Sequence, residues 1–283
     1  MIRHTVMWFT ISLVLLIVTG CVSLTWSQEG SPLPHHHTPK GFQNPYRPSE
    51  RGFGYFLRWR LGLGPKEIPP VPPGEVSNYR PEVAQPAISL IQQPDSNEMQ
   101  ITWIGHSTFL IQTEGINILT DPVFSDYCGP NALLRVKRVA PPGVPFEQLP
   151  SIHAVLISHN HYDHLDAPTL ERLRNGVTYF VPLGIGRWFE KKKMKNVVEM
   201  DWWQTSSFRS LKFHSVPIQH FSNRTPFDRN ETLWSGWIIE SESNRILFAG
   251  DTGYSPVFKE IADRLGPLQI SIIPIGAYRP RWE

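Results

Sequence analysis

From Met99 onward, apolar and polar positions alternate with a period near two and are interrupted by glycine-containing turns, the pattern of half-buried strands. Gln100 to Ile104, Phe109 to Gln112 and Ile116 to Thr120 read as three strands, with Gly105 and Glu114-Gly115 at the turns and Asp121-Pro122 closing the third. Ala154-Val155-Leu156-Ile157 is a short, unbroken apolar run, partly β-branched, and predicts a buried strand. Asp166 then caps a predicted helix, Pro168 to Leu173, that carries proline in its first turn. Thr178 to Val181 predicts another strand, and Ile185 to about Lys195 a helix. On that helix Lys191-Lys192-Lys193-Met194-Lys195 forms a solvated face or, beside a membrane, one that meets anionic headgroups. Leu211 to Pro217, Leu233 to Glu240 and Arg245 to Ala249 complete the series, the last two as a hairpin about Ser243-Asn244.

Before Met99 the texture is different. Arg3 and His4 precede an apolar run from Val6 to Val18, and small residues lead into Cys21, as at a bacterial lipoprotein processing site. Residues 1–24 are therefore expected to be a signal peptide with Cys21 as the lipidation site. The protein would then be tethered to the membrane of a bacterial cell envelope, on the periplasmic side. An uncleaved anchor is the competing reading, because no charged residue occurs from Thr5 through Gln28. Residues 25–98 read as a Pro-rich linker and N-terminal wrap, with Pro69-Pro70-Val71-Pro72-Pro73-Gly74 at its stiffest point and a short amphipathic helix over Phe53 to Leu63. His35, His36 and His37 inside that tract read as solvated. Of the two cysteines, lipidation consumes one and leaves Cys128 alone, so no intrachain disulfide is expected. A net charge of +2 selects no partner, an exported location disfavours nucleic acid, and nothing in the sequence sets an oligomeric state.

The chemistry concentrates in Ser158-His159-Asn160-His161-Tyr162-Asp163-His164-Leu165-Asp166, a loop between a strand and a helix. Residues two apart in extended backbone point the same way, so His159 and His161 can hold one cation, while Asp163 and His164 face a second position as the chain turns. Imidazole nitrogen and carboxylate oxygen are donors that zinc and neighbouring divalent metals accept. His220 and Asp251 each follow a predicted strand, which makes a convergent set of ligands the better reading of both. His106, between two strands, either stands behind the metal ligands and orients them or serves its turn. His214, on a strand interior, reads as structural.

Several segments carry a resemblance: Ile101-Thr102-Trp103-Ile104-Gly105-His106, Leu119-Thr120-Asp121-Pro122, Ser158 to Asp166, Phe248-Ala249-Gly250-Asp251-Thr252-Gly253-Tyr254, and Ile273-Pro274-Ile275-Gly276-Ala277-Tyr278. From about Gly41 to its end the chain resembles the metallo-β-lactamase superfamily, and within it the branch of N-acylphosphatidylethanolamine-hydrolysing phospholipase D. The resemblance implies an α/β fold, the αββα sandwich, with residues 99–283 as the catalytic domain. It implies two Zn²⁺ per chain. His159, His161 and His220 would serve one zinc, Asp163 and His164 the other, and Asp251 both, with Asp163 also assigned as catalytic. It further implies a phospholipid substrate, cleaved to phosphatidate and N-acylethanolamine, by a water whose pKa the two cations lower. Another ester, lactone or β-lactam is the alternative substrate, and an inactive envelope lipoprotein the alternative role. In the relatives the tyrosine segment is followed by a further zinc-binding histidine and further sandwich elements. This sequence stops at Glu283, so missing C-terminal elements and a weaker second metal are expected.

Overall fold

The computed structural model describes residues 33–46, 58, 61, 63, 82–95 and 98–276. The leader, Cys21, the proline run at 69–74, most of the Phe53 to Leu63 stretch and Ala277-Tyr278 lie outside the described residues. In chain order the structure opens with a two-stranded ribbon, β1 (His37–Thr38) and β2 (Gly41–Phe42), and a short helix α1 (Ile88–Gln92). Strands β3 (Gln100–Gly105), β4 (Thr108–Thr113) and β5 (Ile116–Thr120) follow, then a small ribbon of β6 (Tyr127–Cys128) and β7 (Val136–Lys137). Next come β8 (Ala154–Leu156), α2 (Ala167–Leu173), β9 (Thr178–Pro182), α3 (Gly186–Lys191) and β10 (Val197–Met200). The second half holds β11 (Thr205–Phe208), β12 (Leu211–Val216), β13 (Gly236–Glu240), β14 (Arg245–Phe248), α4 (Val257–Leu265) and β15 (Ile270–Ile272).

Two sheets result. The first has the order β10-β9-β8-β5-β4-β3, parallel from β10 to β5 and antiparallel from β5 to β3. The second has the order β11-β12-β13-β14-β15, antiparallel except for the parallel β14–β15 pair. Alternation along each strand decides the layering. Leu110, Leu119, Val155 and Tyr179 point outward from the first sheet onto Leu170 of α2 and Phe189 of α3. Their neighbours Ile111, Ile118, Leu156 and Phe180 point the other way, onto Phe213, Trp237, Ile239 and Phe248 of the second sheet. On the far face of that sheet Val216, Ile238 and Leu247 pack on Ile261 of α4. The layers are thus helix, sheet, sheet and helix, the expected αββα sandwich. Each fully buried side chain of this kind contributes about 1.5–3 kcal/mol, so a one-residue slip that exchanged inner and outer sets is strongly disfavoured.

Four local expectations change. Helix α3 ends at Lys191, because Met194 turns into the core at 5% exposure and Lys193 and Asn196 take positive φ. The lysines therefore share no helical face, and Lys192 pairs with Glu171 at 2.7 Å. Asp166 occupies the N-cap position of α2 without capping it; its carboxylate accepts instead from Thr169 Oγ1 at 2.5 Å and Ser125 Oγ at 2.8 Å. Strand β13 starts at Gly236 because Leu233 and Ser235 give their N–H groups to Leu183 and Ser158, linking loops rather than a sheet. The tract with His36 and His37 forms sheet after all, and both imidazoles meet Asp201 in place of solvent. The described residues from His35 onward form one compact unit.

Candidate metal centre

The C-terminal ends of β5, β8, β12 and β14 lie at one rim of the sandwich, and each delivers part of a polar cluster. Asp121 follows β5, the Ser158 to His164 loop follows β8, His220 lies four residues past β12, and Asp251 three past β14. His159 Nε2 stands 2.7 Å from His161 Nδ1, and His220 Nε2 stands 3.3 Å from the same atom. On the other side His106 Nε2 lies 3.1 Å from Asp163 Oδ2 and 3.3 Å from His164 Nε2. Asp251 Oδ2 sits between the two groups, 3.3 Å from His164 Nε2 and 4.0 Å from His220 Nε2. Gly250 lets the Asp251 loop come this close: its φ is +62°, and a Cβ there would stand 2.5 Å from Ser158 Cβ.

The second nitrogen of three of these imidazoles is occupied. Wholly buried Asp121 accepts from Ser158 N–H at 2.6 Å, Ser158 Oγ–H at 2.5 Å and His164 Nδ1–H at 2.8 Å. Ser158 Oγ in turn lies 2.8 Å from His159 Nδ1, and Asn223 Oδ1 2.7 Å from His161 Nε2. These partners fix tautomers that leave His159 Nε2 and His161 Nδ1 with lone pairs directed into the cluster, and they aim His164 Nε2 into it from the other side. Burial, helped by neighbouring imidazoles, pushes His161 down to about 4 and His220 down to about 3. His159, buried among the same rings, is lowered too. His164 goes the opposite way: burial disfavours its charge, but Asp251, Asp163 and Asp121 outweigh it and raise its pKa. Burial likewise opposes ionisation of Asp163 and Asp251, yet His164 beside them holds both carboxyls below the usual carboxylate range.

Residues 116–283 match the family model of the beta-lactamase superfamily domain, more than half of the chain. The chain belongs to the metallo-β-lactamase superfamily. Over 194 residues it is 39% identical to N-acyl-phosphatidylethanolamine-hydrolyzing phospholipase D 1 of Caenorhabditis elegans, an alignment covering 64% of this chain and 54% of that protein. It is 29% identical over 183 residues to a metal-dependent hydrolase of Methanopyrus kandleri, covering 63% of this chain and 73% of the relative. Among solved structures it resembles Igni18, a metallo hydrolase of Ignicoccus hospitalis, with a TM-score of 0.47, 20% identity, and coverage of 63% and 71% of the two chains. The chain spans about half the length of the worm protein.

The donor set of this superfamily member suits divalent cations. Three neutral imidazoles converge on one side, and a carboxylate with two further imidazoles on the other. Tetrahedral zinc with bonds of about 2.0–2.1 Å separates its ligands by roughly 3.3 Å, the spacing of His161 and His220, while His159 and His161 stand closer at 2.7 Å. His159, His161, Asp163, His164, His220 and Asp251 all lie in the cluster. His106 takes a φ of +51° in its turn, and its ring nitrogen stands among the donors of Asp163 and His164 rather than behind them. His214 is buried and pairs with Thr205 Oγ1 at 2.8 Å on the strand pair β11–β12, away from the rim. Asp121, Asn223 and Arg224 were not foreseen. Arg224 donates through Nη1 to the carbonyls of Asn160 at 2.9 Å and Leu165 at 3.0 Å, bracing the histidine loop. Only Asp121 carried a signal, being an acid that ends an apolar strand as Asp251 does.

Proposed function

We propose that this chain is a zinc-dependent phosphodiesterase of the phospholipase D type that cleaves N-acylphosphatidylethanolamine at a membrane face. What supports the reading most is the pair of donor groups with Asp251 between them, joined to 39% identity with an enzyme named for that reaction. His159, His161 and His220 would hold one cation and Asp163, His164 and Asp251 the other, with His106 beside the second. A bound pair supplies Lewis acidity and a water that ionises near neutral pH. The protein side of the chemistry is orientation. Asp163 is half exposed at the rim, where it can orient a water or a phosphoryl-bound cation, and His164 beside it holds its carboxyl below the usual range, which suits a metal ligand. Asp121 and Asn223 keep the imidazoles turned toward the substrate side.

Tethering through Cys21 would raise the local concentration of such a lipid around the enzyme. Among the described residues no helix is long and apolar enough to cross a membrane. The test is release of N-acylethanolamine from vesicles containing N-acylphosphatidylethanolamine by the zinc-loaded chain. Release that disappears in His161→Ala supports the reading. Hydrolysis of simple esters or lactones with no lipid turnover would replace the substrate and leave the superfamily chemistry. Palmitate labelling lost in Cys21→Ala tests the anchor separately.

A further inference from the structure

The N-terminal strap reaches into the metal centre. His36 Nε2 lies 2.6 Å from Asp201 Oδ1 and His37 Nε2 2.7 Å from Oδ2, while the His36 ring stacks on Trp202 with centroids 4.3 Å apart. Phe42 packs against Trp202, Ile218, Leu233 and Trp234, and its N–H donates to the Asn230 carbonyl at 2.8 Å. Glycine is required beside it: Gly41 has φ +137°, and a Cβ would stand 2.0 Å from the Asn230 carbonyl oxygen.

These contacts deliver buried Asn44 to the peptide unit of His220. Asn44 Nδ2 donates to the His220 carbonyl at 2.7 Å, His220 N–H donates to Asn44 Oδ1 at 3.2 Å, and the Trp234 indole N–H donates to that same oxygen at 3.2 Å. The preceding residue is held differently. The Gln219 carbonyl accepts from Gly253 N–H at 2.8 Å, and its N–H donates to Thr252 Oγ1 at 3.0 Å, tying it to the Asp251 loop. Past β12, among the described residues, the N–H and C=O of His220 meet no backbone partner. One carboxamide takes both groups, as a neighbouring strand would, and so fixes the plane from which the imidazole projects.

We propose that Asn44 is a positioning residue of the metal centre, and that the strap carrying it, latched on Asp201 by His36 and His37, is a built-in part of the site. The proposal rests on the reading above that His220 is a metal donor. A partner that orients a ligand is worth about 10–100-fold in metal affinity, and that is the loss expected here.

The test uses the full chain, titrated with Co²⁺ and then with Zn²⁺ against a chelating chromophore, with the Co²⁺ absorption band and the melting temperature recorded together. Asn44→Ala should bind about 10–100-fold more weakly at the three-histidine group and shift the band. Ile261→Ala, a cavity in the far layer against α4, serves as the control for instability: it should lower the melting temperature and leave affinity and band unchanged. Asn44→Ser, which keeps a short polar side chain, stands in should Asn44→Ala fail to accumulate. Wild-type affinity and band in the Asn44 variant, with Co²⁺ bound normally by the parent, would overturn the positioning role alone. A parent chain with the same Co²⁺ uptake as His161→Ala would overturn the metal reading beneath it.

Discussion

The two donor groups of the centre differ in charge more than in shape. His159 is buried and His161 and His220 are largely covered, and their lowered pKa values leave them neutral at pH 7, so a cation finds lone pairs with no proton to displace. Around His164, by contrast, Asp163, Asp251 and Asp121 hold a proton on the ring, and the half-exposed Asp163 and His106 face solvent. One group is organised by exclusion of water and the other by opposite charge. The first should bind its cation through shape and the second through Coulomb attraction, with different responses to mutation, acid and salt.

Removing a donor gives the largest effects. His161→Ala deletes one of three neutral nitrogens and should abolish retention of the first cation, with activity down by more than the roughly 10–100-fold typical of an orienting partner. Asp163→Ala should leave that cation in place and empty the other side. Metal content per chain, measured beside turnover, separates the two; identical losses in both variants would mean that the groups act as one site.

Asp121→Asn breaks the comparison from behind, because one carboxylate serves both groups: it receives His164 directly and His159 through Ser158. The amide N–H of asparagine would face a hydroxyl and an imidazole N–H that both need an acceptor. Affinity should fall about 10–100-fold, more on the His164 side, as read by metal titration. Equal affinity would show that packing alone orients the rings.

Proton competition sharpens the same contrast. A cation entering beside His164 must displace the proton that the carboxylates hold there, so its affinity should rise with pH, by up to about tenfold per unit below the raised pKa. Uptake at the three-histidine group should be flat above about pH 5, since His161 titrates near 4 and His220 near 3. Calorimetric titration in buffers of different ionisation enthalpy counts the proton released. No pH dependence on either side would remove the electrostatic distinction.

Much of this architecture was legible in the residues, for a physical reason. Apolar patterning along a strand is a local signal, and it located β4, β5 and β9; the histidine loop was legible because its donors fall within six positions. The strap was not, because its contacts span the chain: His36 meets Asp201 at a separation of 165 residues, and Asn44 meets His220 at 176. A run of histidines among prolines carries no trace of a partner that distant. Helix α3 was overextended for a related reason, since the burial of Met194 among lysines is decided by the neighbouring core.

The smallest expected effect belongs to that unread region. Burial alone would raise the Asp201 carboxyl, but the His36 and His37 rings outweigh it and hold its pKa below the unfolded value of 3.8. A carboxyl lowered by folding contributes stability above its unfolded pKa, and that contribution fades as pH falls through the folded value. Asp201→Asn removes it at every pH, leaving an amide N–H against an imidazole N–H, at a cost of about 1–3 kcal/mol near neutrality. For a chain of this size that is a melting temperature lower by roughly 2–10 °C at pH 7. The gap between the variant and the parent should narrow below about pH 4, where the parent loses the same charge. A gap that stays constant down to pH 3 would mean that the latch is held by its hydrogen-bond geometry and the Trp202 stack rather than by the carboxylate's charge.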